Sequence, residues 1–259
     1  MIELWIVAFS LILARVGTFV TILPLIGGQN VPRIVKAGLA FSLAVPLFLT
    51  YGTVPSAELV ARFKDAGWLT YGLALGQEAI LGAGLGYAFG LFLVPFRVAG
   101  EFIGQEMGLS TANQFDPTSN LPANPLTELF ETFGSILFLG MDGHHVFIVA
   151  LYSTFTRCPI GGLPMLPSMP NMVDGAASTQ EAGVLLAIPV VLCLFLTTIV
   201  VALMARAAPH MNLFSIGFTL RVCAGLVAVF ILMPELLTVM TAVLGYVGQT
   251  VTALLNGFV

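Results

Sequence analysis

Seven apolar runs, at residues 2–26, 37–54, 68–96, 126–155, 184–205, 213–233 and 236–258, account for most of this chain and set what it can fold into. Several approach the roughly 20 residues that a helix needs to cross the hydrocarbon of a bilayer. A water-soluble surface cannot be built around them, because 58% of the 259 residues are hydrophobic and only 8% are charged, against about 25% in soluble domains. In lipid each backbone amide must find its partner within the protein, which favours helices. The chain is therefore expected to be an all-α, polytopic membrane protein, with residues 1–259 forming one domain.

Between the third and fourth runs lies a polar stretch, residues 97–125, reading RVAGEFIGQEMGLSTANQFDPTSNLPANP. It holds Glu101, Glu106 and Asp116, then small polar residues, then Pro117, Pro122 and Pro125. The prolines remove backbone donors and oppose continuous helix, so this stretch is expected to be non-helical. Irregular backbone at membrane depth persists only inside protein or beside water. The stretch is the expected functional centre.

Other breaks are legible. Pro46 is expected to break the second run and Pro189 enters the fifth; Pro234 and Glu235 alone separate the last two, which suggests a tight helical hairpin. Asp142-Gly143 reads as a break in the fourth run. From Cys158 to Glu181 the many prolines and glycines point to an irregular connection. The N-terminus has no basic leader followed by a small-residue cleavage site, so the first run is expected to stay. Basic residues Arg33, Lys36, Arg97, Arg206 and Arg221 fall on one side if there are seven crossings, which places the N-terminus outside. Arg62, Lys64 and Arg157 fall on the other.

Gly82, Gly86 and Gly90 repeat at four-residue spacing on one helical face. Such faces let helix backbones approach closely, within a chain or against a neighbouring subunit. Glu78 in the same run is a candidate functional carboxylate, or one that lies near a membrane interface or pairs with a nearby arginine. Asn124-Pro125-Leu126-Thr127-Glu128 has the form of an N-cap, a proline at the first helical position and acid in the first turn. This explains Glu128 and Glu131 structurally. Combining them with His144 and His145 would require the two histidines on one face, and adjacent residues are expected to aim apart. No metal site is expected. Cys158, Cys193 and Cys223 fit neither a disulfide framework nor a zinc motif, and the last two are expected to pack as small residues. A net charge of −4 without a basic patch gives nucleic-acid binding no support.

Several motifs together resemble one family. The run GEFIGQEMGLS from Gly100 to Ser110, Asp116-Pro117, Gly143-His144, Pro159-Ile160-Gly161 and the segment from Arg206 to Phe218 are similar to the FliR family. That family is the flagellar member, and SctT the injectisome counterpart, of a bacterial type III protein export gate. In the segment after the fifth run, Arg206, Pro209, Asn212, Phe214 and Gly217 carry the likeness. This chain departs from the pattern at His210, where Gln is frequent, at Asp142, where Asn frequently precedes Gly-His, and at Thr219, where Pro frequently follows Gly-Phe.

The resemblance implies bent or broken helical hairpins that assemble into a helical hetero-oligomeric pore. One copy of this chain would join several copies of FliP and FliQ, with FlhB attached, in the inner membrane at the flagellar basal body. Exported flagellar proteins would be its substrates. It implies no catalytic residue and no cofactor. It also assigns the loop at about residues 105–125 to the lumen as a plug, carried by Met107, Gly108, Leu109, Ser110, Thr111, Ala112, Phe115, Asp116 and Pro117. The absence of a Gly-x-x-x-x-Gly-Lys-Ser/Thr motif agrees with a conduit powered elsewhere. Other readings are an injectisome subunit, a scaffold whose loop never moves, and a proton-coupled transporter using Glu78, Glu101 and Glu106. The transporter reading lacks the internal repeat such folds carry.

Overall fold

The computed structural model describes residues 2–24, 31–52, 68–109, 124–161, 169–207 and 213–256, and no strand occurs among them. The helices, in order, are α1 (Ile2–Ile22), α2 (Arg33–Leu47), α3 (Trp68–Gly90), α4 (Val94–Met107), α5 (Pro125–Gly140), α6 (Gly143–Arg157), α7 (Met169–Ala207), α8 (Leu213–Ile231) and α9 (Met233–Asn256). Among the described residues, three stretches are long and apolar enough to cross a membrane alone: Leu4–Ile22, Arg33–Gly52 and Met172–Ala207. The remaining spanning candidates are helix pairs joined at a short break, so the expectation of seven simple spans does not describe the chain.

Proline explains several departures from the expected boundaries. Pro46 lies inside α2 without ending it, and the helix then widens into a single π-helical turn, Phe48–Gly52. Such a turn is one way a helix absorbs a local irregularity. The connection expected to stay irregular up to Glu181 is helical from Met169, because Pro170 sits in the first turn, where its missing N–H costs nothing. α7 then continues through Pro189. The last two helices are not a hairpin: α8 and α9 meet at a 68° bend, with Pro234 in the first turn of α9. One residue between two helices cannot reverse the chain.

The first part of the polar stretch is also helical, contrary to expectation. α4 runs to Met107 because Phe96, Ala99, Gly100, Ile103, Gly104 and Met107 repeat at three- and four-residue spacing and are all buried. Glu106 and Gln105 lie on its exposed side. An amphipathic stripe overrides the polar composition here.

Two compact units are present, one formed by Met1–Leu91, Asp142–Gly175 and Gln249–Val259, the other by Phe92–Met141 and Ala176–Gly248. In the first, α1 packs on α3 and on α2. Its buried stripe includes Leu11, Ile12, Val16, Phe19 and Val20. Phe19, Phe89 and Phe147 meet edge to face, with centroids 6.0 Å apart for the first two and 4.4 Å for the last two. In the second unit α4 packs on α5, with Phe96 seated where Gly134 has no side chain. α7 crosses α4 at Gly183, where a Cβ would come within 2.8 Å of the Pro95 carbonyl oxygen. α7 also exposes Leu185, Leu192, Phe195, Leu196 and Leu203, an outer face suited to lipid or protein.

Candidate functional site

The functional loop is expected between α4 and α5, and its two ends are fastened within the second unit. α4 stops at Gly108, which adopts the left-handed conformation (φ 80°) and caps the helix through its N–H to the carbonyls of Gln105 and Gly104. Only glycine takes this conformation without strain, which accounts for its place at a helix C-terminus. At the other end Asn124 caps α5: its Oδ1 accepts the Leu126 N–H at 3.1 Å, and Pro125 follows at the first helical position. The expected N-cap is therefore present. Its Nδ2 also donates to the Gly100 carbonyl at 3.1 Å, fastening α5 to α4. Gly104 leaves the space that the Asn124 side chain occupies.

Charged and hydroxyl groups continue this seam. Thr127 donates through Oγ1 to Glu101 at 3.1 Å, Gln105 donates to the other oxygen of the same carboxylate at 3.2 Å, and Arg97 pairs with Glu131. Met107 is fully buried beneath α8, where a Cβ on Gly225 would come within 2.6 Å of its sulfur. Phe218, about two turns earlier on the same face of α8, lies against Gly108. Arg221 stands between these two contacts in the α8 register, and its Nε is buried with no hydrogen-bond partner among the described residues. Of the expected plug residues, Met107, Gly108 and Leu109 are described; Ser110, Thr111, Ala112, Phe115, Asp116 and Pro117 lie outside the described residues.

The first unit contains a buried ion pair. Arg15, in the middle of α1, is fully closed off from solvent, and its Nε donates to Glu78 of α3 at 2.5 Å. Nη1 and Nη2 each donate to the Cys158 carbonyl at 3.1 Å, and Nη1 also reaches the Thr154 carbonyl at 3.2 Å. Both carbonyls lie at the C-terminus of α6, where a cation is favoured, and that of Thr154 also accepts the capping Cys158 N–H at 2.8 Å. The Phe155 ring lies under the guanidinium, 4.2 Å from its carbon. Glu78 in turn accepts the Gly161 N–H at 2.9 Å through Oε1. One arginine and one carboxylate thus hold both sides of the Cys158–Gly161 turn against α1 and α3. The pairing of Glu78 with an arginine is one of the expected alternatives, and its partner, Arg15, which the sequence does not single out, is the only charge in its run after Glu3.

The glycine face of α3 turns toward α1. A Cβ on Gly82 would overlap the Arg15 carbonyl and the Thr18 side chain, and one on Gly86 would come within 2.8 Å of Ile22. Among the described residues, nothing lies within 4 Å of the corresponding point on Gly90. The three glycines therefore do not share one environment.

Two expectations about reactive side chains are corrected. Cys193 and Cys223 are exposed, and Cys158 is the packed cysteine, because its carbonyl is held by Arg15. His144 and His145 do not aim apart: their ring centroids are 4.2 Å apart, tilted by 36°. Asp142, left-handed at φ 59°, precedes the first turn of α6 and redirects it. In the segment after α7, Arg206 ends the helix exposed and Gly217 fits against Val201. Pro209 and Asn212, with His210, lie outside the described residues, as does the side chain of Phe214.

Sequence comparison matches residues 6–246 to the family described as bacterial export proteins, family 1. The chain is 31% identical over 231 residues to the flagellar biosynthetic protein FliR of Escherichia coli, covering 89% of this chain and 85% of that protein. It is 28% identical over 257 residues to the protein of the same name from Bacillus subtilis, covering 96% and 94%. The Caulobacter vibrioides protein of that name is 29% identical, covering 84% of each. With this agreement across nearly every described helix, the chain belongs to bacterial export protein family 1, the family of the FliR proteins.

Proposed function

We propose that this chain is a non-enzymatic subunit of the flagellar protein export gate in the bacterial inner membrane. With homologues of FliP and FliQ, and with FlhB attached, it builds the pore through which unfolded flagellar proteins leave the cytoplasm. The observation that carries this reading is the family match over residues 6–246 together with relatives named flagellar biosynthetic protein FliR. Broken helix pairs and an apolar outer face on α7 support an assembled, membrane-embedded role.

In this reading the chain between Gly108 and Asn124 is the plug. The fastened α4–α5 seam supports it, because a movable loop needs fixed ends. Met107, held beneath α8, anchors the start, and Leu109 to Pro117 supply the moving part. Apolar Leu109 and Phe115 exclude water, while Gly108, Ser110, Thr111 and Ala112 allow rearrangement. Purification of the tagged chain from host membranes in mild detergent tests the assembly. FliP and FliQ homologues should co-purify in several copies for each copy of this chain; recovery of the chain alone in a functional host contradicts the pore.

A further inference from the structure

We propose that Asp142, His144 and His145 form a binding site for a divalent transition-metal ion such as Zn²⁺ or Cu²⁺. The three follow one another across the break between α5 and α6, with Asp142 just before the helix and both histidines in its first turn. One ligand atom from each lies within 4.8 Å of the other two. Asp142 Oδ1 is 3.6 Å from His145 Nδ1 and 4.0 Å from His144 Nε2. With metal–ligand bonds of about 2.0–2.2 Å in tetrahedral geometry, neighbouring ligand atoms stand roughly 3.4 Å apart. Small side-chain rotations close that difference, and all three side chains are exposed and able to turn.

The disposition of Asp142 is a separate reason to assign it this role. It is the only non-glycine residue of positive φ among the described residues. Standing at the N-cap of α6, its carboxylate makes no capping bond to the first amides of that helix. The carboxylate faces the two imidazoles instead. Two imidazoles and one carboxylate suit zinc, copper and nickel, and leave a fourth position open to water.

The setting also favours a ligand. Three ionisable side chains stand exposed at the junction of two apolar helices, a costly arrangement against lipid and a useful one against water or a bound ion. A bound ion would tie the residue before α6 to its first turn and stiffen the corner.

The purified full-length protein, stripped with chelator and held in detergent, is titrated with Zn²⁺ by calorimetry and with Cu²⁺ by electron paramagnetic resonance. One equivalent of Zn²⁺ should bind saturably, and His144→Ala, His145→Ala and Asp142→Asn should each weaken binding at least about tenfold. The Cu²⁺ spectrum should show coupling to two imidazole nitrogens, reduced to one in either histidine variant. Asp142→Asn tolerates the left-handed conformation equally well, so its loss of affinity does not arise from misfolding; far-ultraviolet circular dichroism checks this. His210→Ala should bind as the parent does. Absence of saturable binding, or binding unchanged in all three site variants, overturns the proposal.

Discussion

Arg15 and Glu78, 63 residues apart, are joined by a 2.5 Å hydrogen-bonded ion pair from which solvent is excluded on both sides. Their partners are backbone groups of the turn after α6, so the pair decides where a third segment sits. Removing one member leaves a buried charge uncompensated, at a cost of about 3–5 kcal/mol. Glu78→Ala should therefore sharply lower the thermal stability of the purified protein and its level in membranes. Arg15→Lys should also fail, because one ammonium cannot replace a fork that reaches a carboxylate and two carbonyls. The double variant Arg15→Leu with Glu78→Leu should recover part of the loss. Equal stability of Glu78→Ala and the parent would remove the pair from this role.

The glycines of α3 should respond unequally. Gly82→Ala and Gly86→Leu place atoms where α1 already stands, with an overpacking cost of about 1–3 kcal/mol or more. Gly90→Ala meets open space and, being within a helix, should be neutral or slightly stabilising. Thermal unfolding of the three variants, with the yield of intact complex, distinguishes them. A normal yield from Gly86→Leu would show that this face tolerates separation.

Asn124 acts at both ends of its amide, and substitutions separate the two. Asn124→Ala loses the cap on α5 as well as the bond to Gly100, and should cost about 0.5–2 kcal/mol for the cap alone. Asn124→Asp keeps the acceptor for the Leu126 N–H, loses the donor to Gly100 and sets a carboxylate oxygen against that carbonyl. Hydrogen exchange at the first turn of α5 should rise strongly in the first variant and weakly in the second. Exchange in Asn124→Ala equal to that of the parent would mean the cap is dispensable.

If the loop is a plug, deleting Gly108 to Ala112 should let the closed pore pass ions. Conductance measured in cells expressing the deletion should rise above the parent, and unchanged conductance argues against a plug. A disulfide engineered across the loop should stop export if the loop must move. Continued export under oxidising conditions would favour a static scaffold.

Much of the fold was legible because apolar length and spacing dominate it. The runs at residues 2–26 and 37–54 became α1 and α2, and Asp142-Gly143 divided the fourth run as expected. The cap at Asn124 was legible for a local reason, since its determinants lie within a few residues. Composition misled where periodicity should have decided: α4 carries polar residues on one face and a complete buried stripe on the other. Proline misled at 46, 189 and 234, because its effect depends on position within a helix and on what packs beside it. Arg15 and the facing of His144 and His145 depended on tertiary placement and a single left-handed residue, neither of which linear spacing encodes.

The most direct test of the export reading is secretion of hook and filament proteins into the medium by the host with this gene deleted and then restored. Deletion should abolish secretion and restoration should return it, with the cytoplasmic level of those proteins maintained. Normal hook and filament secretion in the deletion strain would contradict the export reading.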